Sequence, residues 1–240
     1  QFRNWDPAIL TKLAEVVPSG DICIDVATGT GQLVPTLAST HKRVIACDYS
    51  EKQVEKAKET LSETYPNCSF EVRAAENFGD LAEPGTVDTI TVGEAFHWFN
   101  QEKFWEQVAR VLKPEGTVAI LGYSTCIFDD AELDAAHDEF HKKLAPFWEF
   151  DQQYLQKEYE GTNWPFDSVE KVQHIKKCEG PVDHLFGFIS TWSALAKARN
   201  HLPTDPYIDF EAKAQACQAR TGTFKFKFPY FMYVLKKFRR

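Results

Sequence analysis

The hydrophobic positions in the first half of the chain follow two alternating spacings. Short runs rich in β-branched residues predict strands, and apolar residues at helical spacing predict the helices between them. Strands that alternate with helices are typical of βαβ units around a parallel sheet. The predicted strands are 22–26, 44–48, 69–73, 89–92 and 117–121, and the predicted helices are 33–39, 51–64 and 104–112, with Ser50 as the expected cap of the second helix.

The pattern changes after Tyr123. Residues 129–221 are rich in aromatic side chains and contain at least three helical patterns without the alternation of βαβ units, which predicts a helical cap. Residues 223–238 alternate apolar and polar positions and predict a late strand, with Pro229 at an edge or a bulge and residues 169–177 as a partner strand. We therefore expect one α/β domain: a core in residues 1–123, a cap and possible sixth strand in 124–222, and a final strand in 223–240.

Composition narrows the class of partner. The formal net charge of −8 disfavours an extended nucleic-acid surface, which needs clustered Lys and Arg, so we expect a small-molecule partner. The six cysteines form no CxxC pair, and no apolar run is long enough for a membrane span. We expect a cytoplasmic protein with no membrane partner, and a monomer, since no interface pattern stands out. The sequence begins at Gln1 rather than Met, so we expect the natural chain to extend upstream.

A glycine-rich turn lies between the first predicted strand and its helix. In "DICIDVATGTGQL", Gly29 and Gly31 can adopt positive φ and let the backbone approach a ligand. A dinucleotide site requires a third glycine where Val34 stands, which weakens an oxidoreductase interpretation. Asp48 ends the second strand, where a carboxylate can accept hydrogen bonds from ribose hydroxyls.

The segment from Asp25 to Gly31 resembles the first motif of class I S-adenosylmethionine-dependent methyltransferases. Ala27 stands where that family usually has glycine, and an alanine fits this position if its φ is negative. The resemblance implies a Rossmann-like, mostly parallel seven-stranded sheet with helices on both faces, S-adenosylmethionine as cofactor and S-adenosylhomocysteine as product. It also implies these cofactor contacts: Asp25, Ala27, Thr28, Gly29 and Gly31 at the methionine end, Asp48 and Tyr49 near the ribose, and Ala75 and Glu76 near the adenine.

The segment "VGEAFHWFN" after the fourth strand is expected to face the acceptor, because ligands bind beyond the carboxyl ends of parallel strands. Gly93 would let the chain pass close to the cofactor. His97 and Trp98 are candidate acceptor contacts, although both could equally be packing residues. His97 is also a candidate general base for a hydroxyl or amine, since an ordinary imidazole pKa is about 6.5. A carboxylate acceptor would need no base but would need cationic partners, for which the candidates are Lys142, Lys143, Arg199 and His97.

A narrower resemblance extends over the second half. "LAPFWEFDQQYLQKEYEGTNWPFDSV" and "LFGFISTWSALAKAR" are similar to segments of the fungal-type trans-aconitate methyltransferases and their small-molecule relatives. "FRNWDPAIL" resembles their short N-terminal lid helix, which implies that Trp5 contacts the cofactor, and the "Lys-Pro-Glu-Gly" turn at 113–116 also fits the superfamily. The implied acceptor contacts are Tyr123, Trp148, Tyr159, Trp192 and Arg199, with Phe2 and Trp164 as further candidate pocket walls.

We therefore predict a methyltransferase that O-methylates a small molecule, with a carboxylate such as trans-aconitate as one candidate acceptor. The alternatives are a non-catalytic S-adenosylmethionine-binding regulatory or partner protein, a nucleotide-dependent oxidoreductase, and a methyltransferase acting on protein or nucleic acid. His137 and His141 have the i, i+4 spacing of metal ligands, but "HDEFH" marks no third ligand, so no metal is expected.

Overall fold

One seven-stranded sheet organises the chain in this computed structural model, which describes residues 5–239. The strand order is β3-β2-β1-β4-β5-β7-β6. Neighbouring strands among β1 to β5 pair in parallel, whereas β7 runs antiparallel to β5. The bounds are β1 Gly20–Val26, β2 His41–Asp48, β3 Cys68–Val72, β4 Val87–Gly93, β5 Leu112–Tyr123, β6 Phe166–Gly180 and β7 Phe224–Phe238. The predicted α/β class and mostly parallel sheet are confirmed.

The strand order reverses between β1 and β4, and this reversal positions the site. The connections through α2 and α3 step across the sheet in one direction, and the connection through α4 steps in the other, so right-handed crossovers place helices on both faces. A crevice therefore opens beyond the carboxyl ends of β1 and β4. The first helices are α1 Pro7–Val16, α2 Val34–Thr40, α3 Glu51–Leu61 and α4 Gln101–Val111.

The central strands are buried on both faces because helices cover them on both sides. Ile24 of β1 and Ile90 of β4 are fully buried, and so are Cys23 and Thr91, which point to the opposite face. Burial on both faces is typical of parallel strands. The same burial explains why the sequence pattern located these strands to within a few residues.

Three local expectations need correction. Ser50 precedes α3 as predicted, but its side chain makes no capping hydrogen bond. The 113–116 segment is no separate turn: α4 ends at Val111, β5 begins at Leu112, and the segment bulges from β5 where the register with β4 shifts. Pro229 does not lie on an edge strand, since β7 lies between β5 and β6.

Pro229 instead marks an irregularity in pairing. Tyr123 pairs with Tyr230, and Ile127 pairs with Lys227. Four positions separate Tyr123 from Ile127, whereas three separate Lys227 from Tyr230, so one extra residue is accommodated beside Pro229. This agrees with the predicted bulge, because proline cannot donate a ladder hydrogen bond.

The chain divides into two compact units. The sheet unit contains residues 5–123, 160–174 and 230–239, and the cap unit contains residues 124–159 and 175–229. Within the cap unit, α5 packs against α8 and α9 around the buried rings of Phe128, Phe140 and Phe210. The remaining helices are α5 Ala131–Leu144, α6 Gln152–Gln156, α7 Val182–Ile189, α8 Ser193–His201 and α9 Ile208–Thr221.

Two further findings concern the helices and the cysteines. None of the helices within residues 5–239 combines the length and the apolar character that crossing a bilayer requires. The six cysteines are free thiols, and four of them are buried: Cys23, Cys47, Cys126 and Cys178. These four cysteines therefore serve as packing residues.

Candidate active site

The glycine turn after β1 adopts the left-handed backbone conformation at three positions. The φ angles are 57° at Ala27, 59° at Gly29 and 84° at Gly31. The condition of a negative φ at Ala27 is therefore not met. An L-residue in this region costs roughly 1–2 kcal/mol, because its Cβ crowds the following carbonyl oxygen. The turn accepts this strain because the Thr28 N–H donates to the Cys47 carbonyl oxygen at 2.9 Å, which holds it against β2.

The two glycines of the turn have different roles. A Cβ at Gly31 would lie 2.4 Å from Cδ1 of Leu61, so Gly31 lets α3 pack closely against the turn. A Cβ at Gly29 would approach, among the described residues, only Oε1 of Gln32 at 3.5 Å. Gly29 therefore leaves space in front of the loop for a ligand.

Asp25 lies behind this turn and is nearly fully buried. Its Oδ2 accepts from the Thr28 hydroxyl and its Oδ1 from the Thr91 hydroxyl, both at 2.6 Å. Burial raises the pKa of Asp25 to about 6, against the opposing effect of these two hydrogen bonds. The carboxylate thus joins the turn to β4, which is a positioning role. A direct contact between Asp25 and the cofactor stays a prediction.

Asp48, at the end of β2, faces the same turn. Its Oδ2 accepts from the Gly29 N–H and its Oδ1 from the Ser50 N–H, each at 2.9 Å. A carboxylate has about four acceptor positions, so two remain. Two free acceptor positions beside an open glycine turn fit a ribose with two hydroxyl donors, and the residues present therefore fit S-adenosylmethionine. Tyr49 follows with 78% of its surface exposed, and its contact with the cofactor stays a prediction.

The loop after β3 carries the two residues predicted near the adenine. Ala75 is buried, and Glu76 accepts from the Asn100 N–H through Oε1 at 2.9 Å. This bond ties the loop to the start of α4, where the Asn100 side chain accepts from the Lys103 N–H. The contact of Glu76 with the adenine amine stays a prediction.

The carboxyl end of β4 is covered by an aromatic residue from the N-terminus. A Cβ at Gly93 would lie 3.1 Å from Cζ2 of Trp5, so glycine is needed for this close approach. The Trp5 ring centroid is 5.9 Å from those of both Tyr123 and Tyr230. The structure therefore brings together Trp5, Gly93 and Tyr123, three residues predicted for the site.

His97 and Trp98 lie in a short 3₁₀ turn, Phe96–Trp98. The fully buried Phe96 anchors it, with its ring 5.6 Å from that of Trp105. Burial lowers the pKa of His97 to about 3, so the imidazole is neutral at pH 7 and is a weak base. The ordinary pKa assumed from the sequence does not hold in the folded protein. Trp98 is about half exposed, at 48%, and its ring lies 5.7 Å from that of His97.

The sequence analysis missed Glu94, which lies between Gly93 and this turn. Its φ is 54°, a left-handed conformation that is rare for a residue other than glycine. Its N–H donates to the Leu121 carbonyl oxygen, and its Oε2 accepts from the Tyr123 N–H, both at 2.9 Å. Burial raises its pKa to about 8. An acidic residue directly after the last residue of a parallel strand was the signal that could have identified it.

The predicted acceptor contacts in the second half fall in the cap unit. Trp148 and Trp192 lie with ring centroids 5.8 Å apart, and Tyr159 is fully buried against Tyr154. The Nε of Arg199 donates to Asp205 at 2.6 Å, and its guanidinium lies 4.7 Å from the Tyr207 ring centre. Their roles toward an acceptor stay predictions.

The two other candidate pocket walls are Trp164 and Phe2. Trp164, in the sheet unit, is buried and packs against Phe96 and Tyr233, and its role as a pocket wall stays a prediction. Phe2 lies outside the described residues.

His137 and His141 face each other in the cap unit with their Nε2 atoms 3.1 Å apart, and the Gln152 amide reaches Nδ1 of His141 at 2.8 Å. These contacts form a series of hydrogen bonds, which accounts for the pair. In the contact between the two histidines, one ring nitrogen donates and the other accepts. Within the described part of the chain, no group of three or more His, Cys, Asp or Glu side chains is arranged to hold a metal ion.

Comparisons with known proteins agree with this geometry. Residues 23–116 match the model of a methyltransferase domain. A Dictyostelium discoideum protein named as a methyltransferase is 28% identical over 203 residues, covering 81% of this chain and 74% of that protein. A Saccharomyces cerevisiae protein named as an S-adenosylmethionine-dependent methyltransferase is 28% identical over 102 residues, covering 42% of this chain and 35% of that protein.

The structural likeness extends over the whole chain. A type II methyltransferase structure from Anaeromyxobacter dehalogenans superimposes with a TM-score of 0.79 at 28% identity, covering 99% of this chain and 98% of that one. The region matched by the domain model runs from β1 to β5, so it includes the glycine turn, Asp48 and the loop after β4. The chain is therefore an S-adenosylmethionine-dependent methyltransferase with the Rossmann-like class I fold.

Proposed function

We propose that the enzyme transfers the methyl group to an oxygen atom of a small molecule. The observation that carries this proposal is the Trp5 ring, which lies over Gly93 at the carboxyl end of β4 and contacts Tyr123. An aromatic residue over the end of this strand encloses the acceptor side and favours small acceptors. The net charge of −8 further disfavours polyanionic substrates.

Residues of the sheet unit would bind the cofactor and enclose the acceptor. Bound S-adenosylmethionine supplies a methyl group on a positively charged sulfur. Asp48 would accept hydrogen bonds from the ribose, and the open space at Gly29 would receive the methionine end. Trp5 and Tyr123 would exclude water and present aromatic faces, which attract a cationic sulfonium. Holding the acceptor oxygen in line with the methyl carbon supplies much of the rate enhancement.

Two kinds of oxygen acceptor are compatible with the proposal. A carboxylate such as trans-aconitate needs cationic partners, but the candidate cations are engaged elsewhere: Lys142 with Glu139, Lys143 with Asp209 and Arg199 with Asp205. A protonated Glu94, whose pKa burial raises to about 8, could donate to a carboxylate in place of a cation. A hydroxyl acceptor needs a group to take its proton.

Methyl transfer from radiolabelled S-adenosylmethionine to a panel of small alcohols, phenols and di- and tricarboxylates tests the proposal. We expect label in extractable small molecules, with the O-methyl product identified by mass spectrometry. Label found solely in protein or RNA, with none in any small oxygen compound, would contradict it.

We also propose that the protein acts in the cytoplasm as a monomer, without nucleic-acid or membrane partners. The free, buried cysteines and the acidic net charge support this proposal. Light scattering during size-exclusion chromatography should give the mass of one chain, and a dimer mass would contradict the monomer.

A further inference from the structure

Glu94 is held at the acceptor end of the sheet in a conformation that costs free energy. A left-handed backbone at a residue other than glycine is strained, and such strain persists where surrounding contacts impose it. Here two hydrogen bonds from one neighbouring strand impose it, since the Glu94 N–H binds the carbonyl of Leu121 and its Oε2 accepts from the N–H of Tyr123. The side chain is thus fixed where β4 and β5 both end.

One carboxylate oxygen of Glu94 remains for a ligand. Oε2 is bound by Tyr123, whereas no partner among residues 5–239 binds Oε1. A carboxyl group held by a strained backbone with one oxygen unused is costly for a purely structural residue, because the strain must be offset by other contacts. The arrangement is better explained by a group that meets the acceptor.

We propose that Glu94 accepts the proton of the acceptor, and that the acceptor is therefore an alcohol or a phenol rather than a carboxylate. This inference rests on the proposed function, O-methylation of a small molecule. In the reaction, the acceptor O–H bond breaks and its proton passes to Oε1 of Glu94. The acceptor oxygen forms a bond to the methyl carbon while the carbon–sulfur bond breaks, with its electron pair retained by sulfur.

The ionisation of Glu94 suits this role better than that of His97. Burial raises the pKa of Glu94 to about 8, near the working pH, whereas it lowers the pKa of His97 to about 3. A general base works best when its pKa is near the operating pH. The surrounding elements carry several titratable side chains. They are His97 in the same loop, Tyr123 and Tyr230 at the ends of β5 and β7, and the pair of Asp6 and His174. In this pair, Nε2 of His174 lies 3.2 Å from Oδ1 of Asp6.

The experiment compares the wild type with Glu94→Gln, which keeps the size and removes the ionisable group. We expect kcat for a methylated alcohol or phenol to fall roughly 100-fold or more in Glu94→Gln, with KM and the Kd for S-adenosylmethionine changed by less than about threefold. The matched control is Glu115→Gln, on the exposed bulge of β5, which should retain wild-type rates.

The pH profile separates the two acceptor classes. With Glu94 as the base, wild-type kcat/KM should rise with pH up to about 8, and this rise should be absent in Glu94→Gln. If a protonated Glu94 instead donated to a carboxylate acceptor, kcat/KM would fall as pH rose through about 8. Infrared difference spectra should show the Glu94 carboxyl losing its proton in the same range without any acceptor present.

The possible failures are distinguishable. If the wild type methylates no small oxygen acceptor, the proposed function fails and this inference fails with it. If the wild type methylates carboxylates alone, with kcat/KM falling above pH 8, the proposed function stands and the inference is overturned. Equal kcat in the wild type and Glu94→Gln on an alcohol also overturns it. Loss of S-adenosylmethionine binding in Glu94→Gln would contradict the acceptor-side placement.

Discussion

The backbone N–H of Gly29 donates a hydrogen bond to Oδ2 of Asp48 at 2.9 Å. This bond joins the turn after β1 to the end of β2, the two places proposed to hold the cofactor. The carboxylate therefore orders the loop, and in the proposed function its remaining acceptor positions would receive the ribose hydroxyls. Its loss should affect both functions together.

We predict that Asp48→Asn weakens S-adenosylmethionine binding about 10- to 100-fold. The amide keeps one acceptor oxygen but places an N–H₂ group against a backbone donor, and hydrogen bonds to a charged group contribute about 1.5–3 kcal/mol. Isothermal titration calorimetry with S-adenosylhomocysteine measures the change. Asp21→Asn, which removes an exposed carboxylate paired with Lys42, is the control and should bind as the wild type does.

Ala27→Gly should stabilise the protein. Glycine relieves a left-handed strain of about 1–2 kcal/mol, and its greater freedom in the unfolded chain offsets about 0.4–1 kcal/mol of this gain. The expected net increase in the free energy of unfolding is about 0.5–1 kcal/mol, measured as a higher urea midpoint with an unchanged slope. Ala38→Gly, within α2, should change stability in the opposite direction. A destabilised Ala27→Gly would mean that the strain is absent.

Gly93→Ala should impair methyl transfer and also reduce stability. The new Cβ would lie 3.1 Å from Trp5 and 3.2 Å from Leu33, so the indole over the end of β4 must shift. We expect kcat/KM to fall about tenfold, with a stability loss of about 1–3 kcal/mol, because overpacking forces neighbours out of position. Gly187→Ala, in α7 where the new methyl group meets no close neighbour, is the control and should keep wild-type kinetics. Unchanged kinetics in Gly93→Ala would show that Trp5 does not enclose the site.

The histidine pair should make the protein sensitive to acid. Burial lowers the pKa of His137 to about 3 and that of His141 to about 4, so the unfolded chain binds more protons than the folded one below about pH 6.5. Their contribution to stability is complete above that pH and is lost as pH falls toward 4. At pH 5 the expected loss is about 2 kcal/mol per histidine.

His137→Phe should therefore reduce the difference in unfolding free energy between pH 7.5 and pH 5, measured by urea denaturation. The variant will be somewhat less stable at pH 7.5, because His141 loses its hydrogen-bond partner. His201→Gln, at an exposed position of α8, should leave the pH dependence unchanged. A pH dependence in His137→Phe equal to that of the wild type would contradict the prediction.

Much of the fold was predictable because it depends on local patterns. The strands β1 to β4 were located from their apolar runs. The glycine turn was located from Gly29 and Gly31, because glycine is the residue that most readily adopts a positive φ. Asp48 was assigned to the site because the end of a parallel strand next to the first one must face the same crevice. The antiparallel β7 was also located from its alternation, with β6 as its neighbour.

The chemistry of individual side chains was decided by tertiary structure. The sequence by itself determined that a glycine ends β4 and that an acidic residue and a histidine follow it. Burial made His97 a weak base and Glu94 a stronger one, and contacts with β5 forced Glu94 into a left-handed backbone. These properties depend on desolvation and on hydrogen bonds between residues far apart in the chain. The spacing of residues along the chain determines where strands and turns form. The pKa of a side chain and the strain of its backbone depend instead on the neighbours that the tertiary structure places around it.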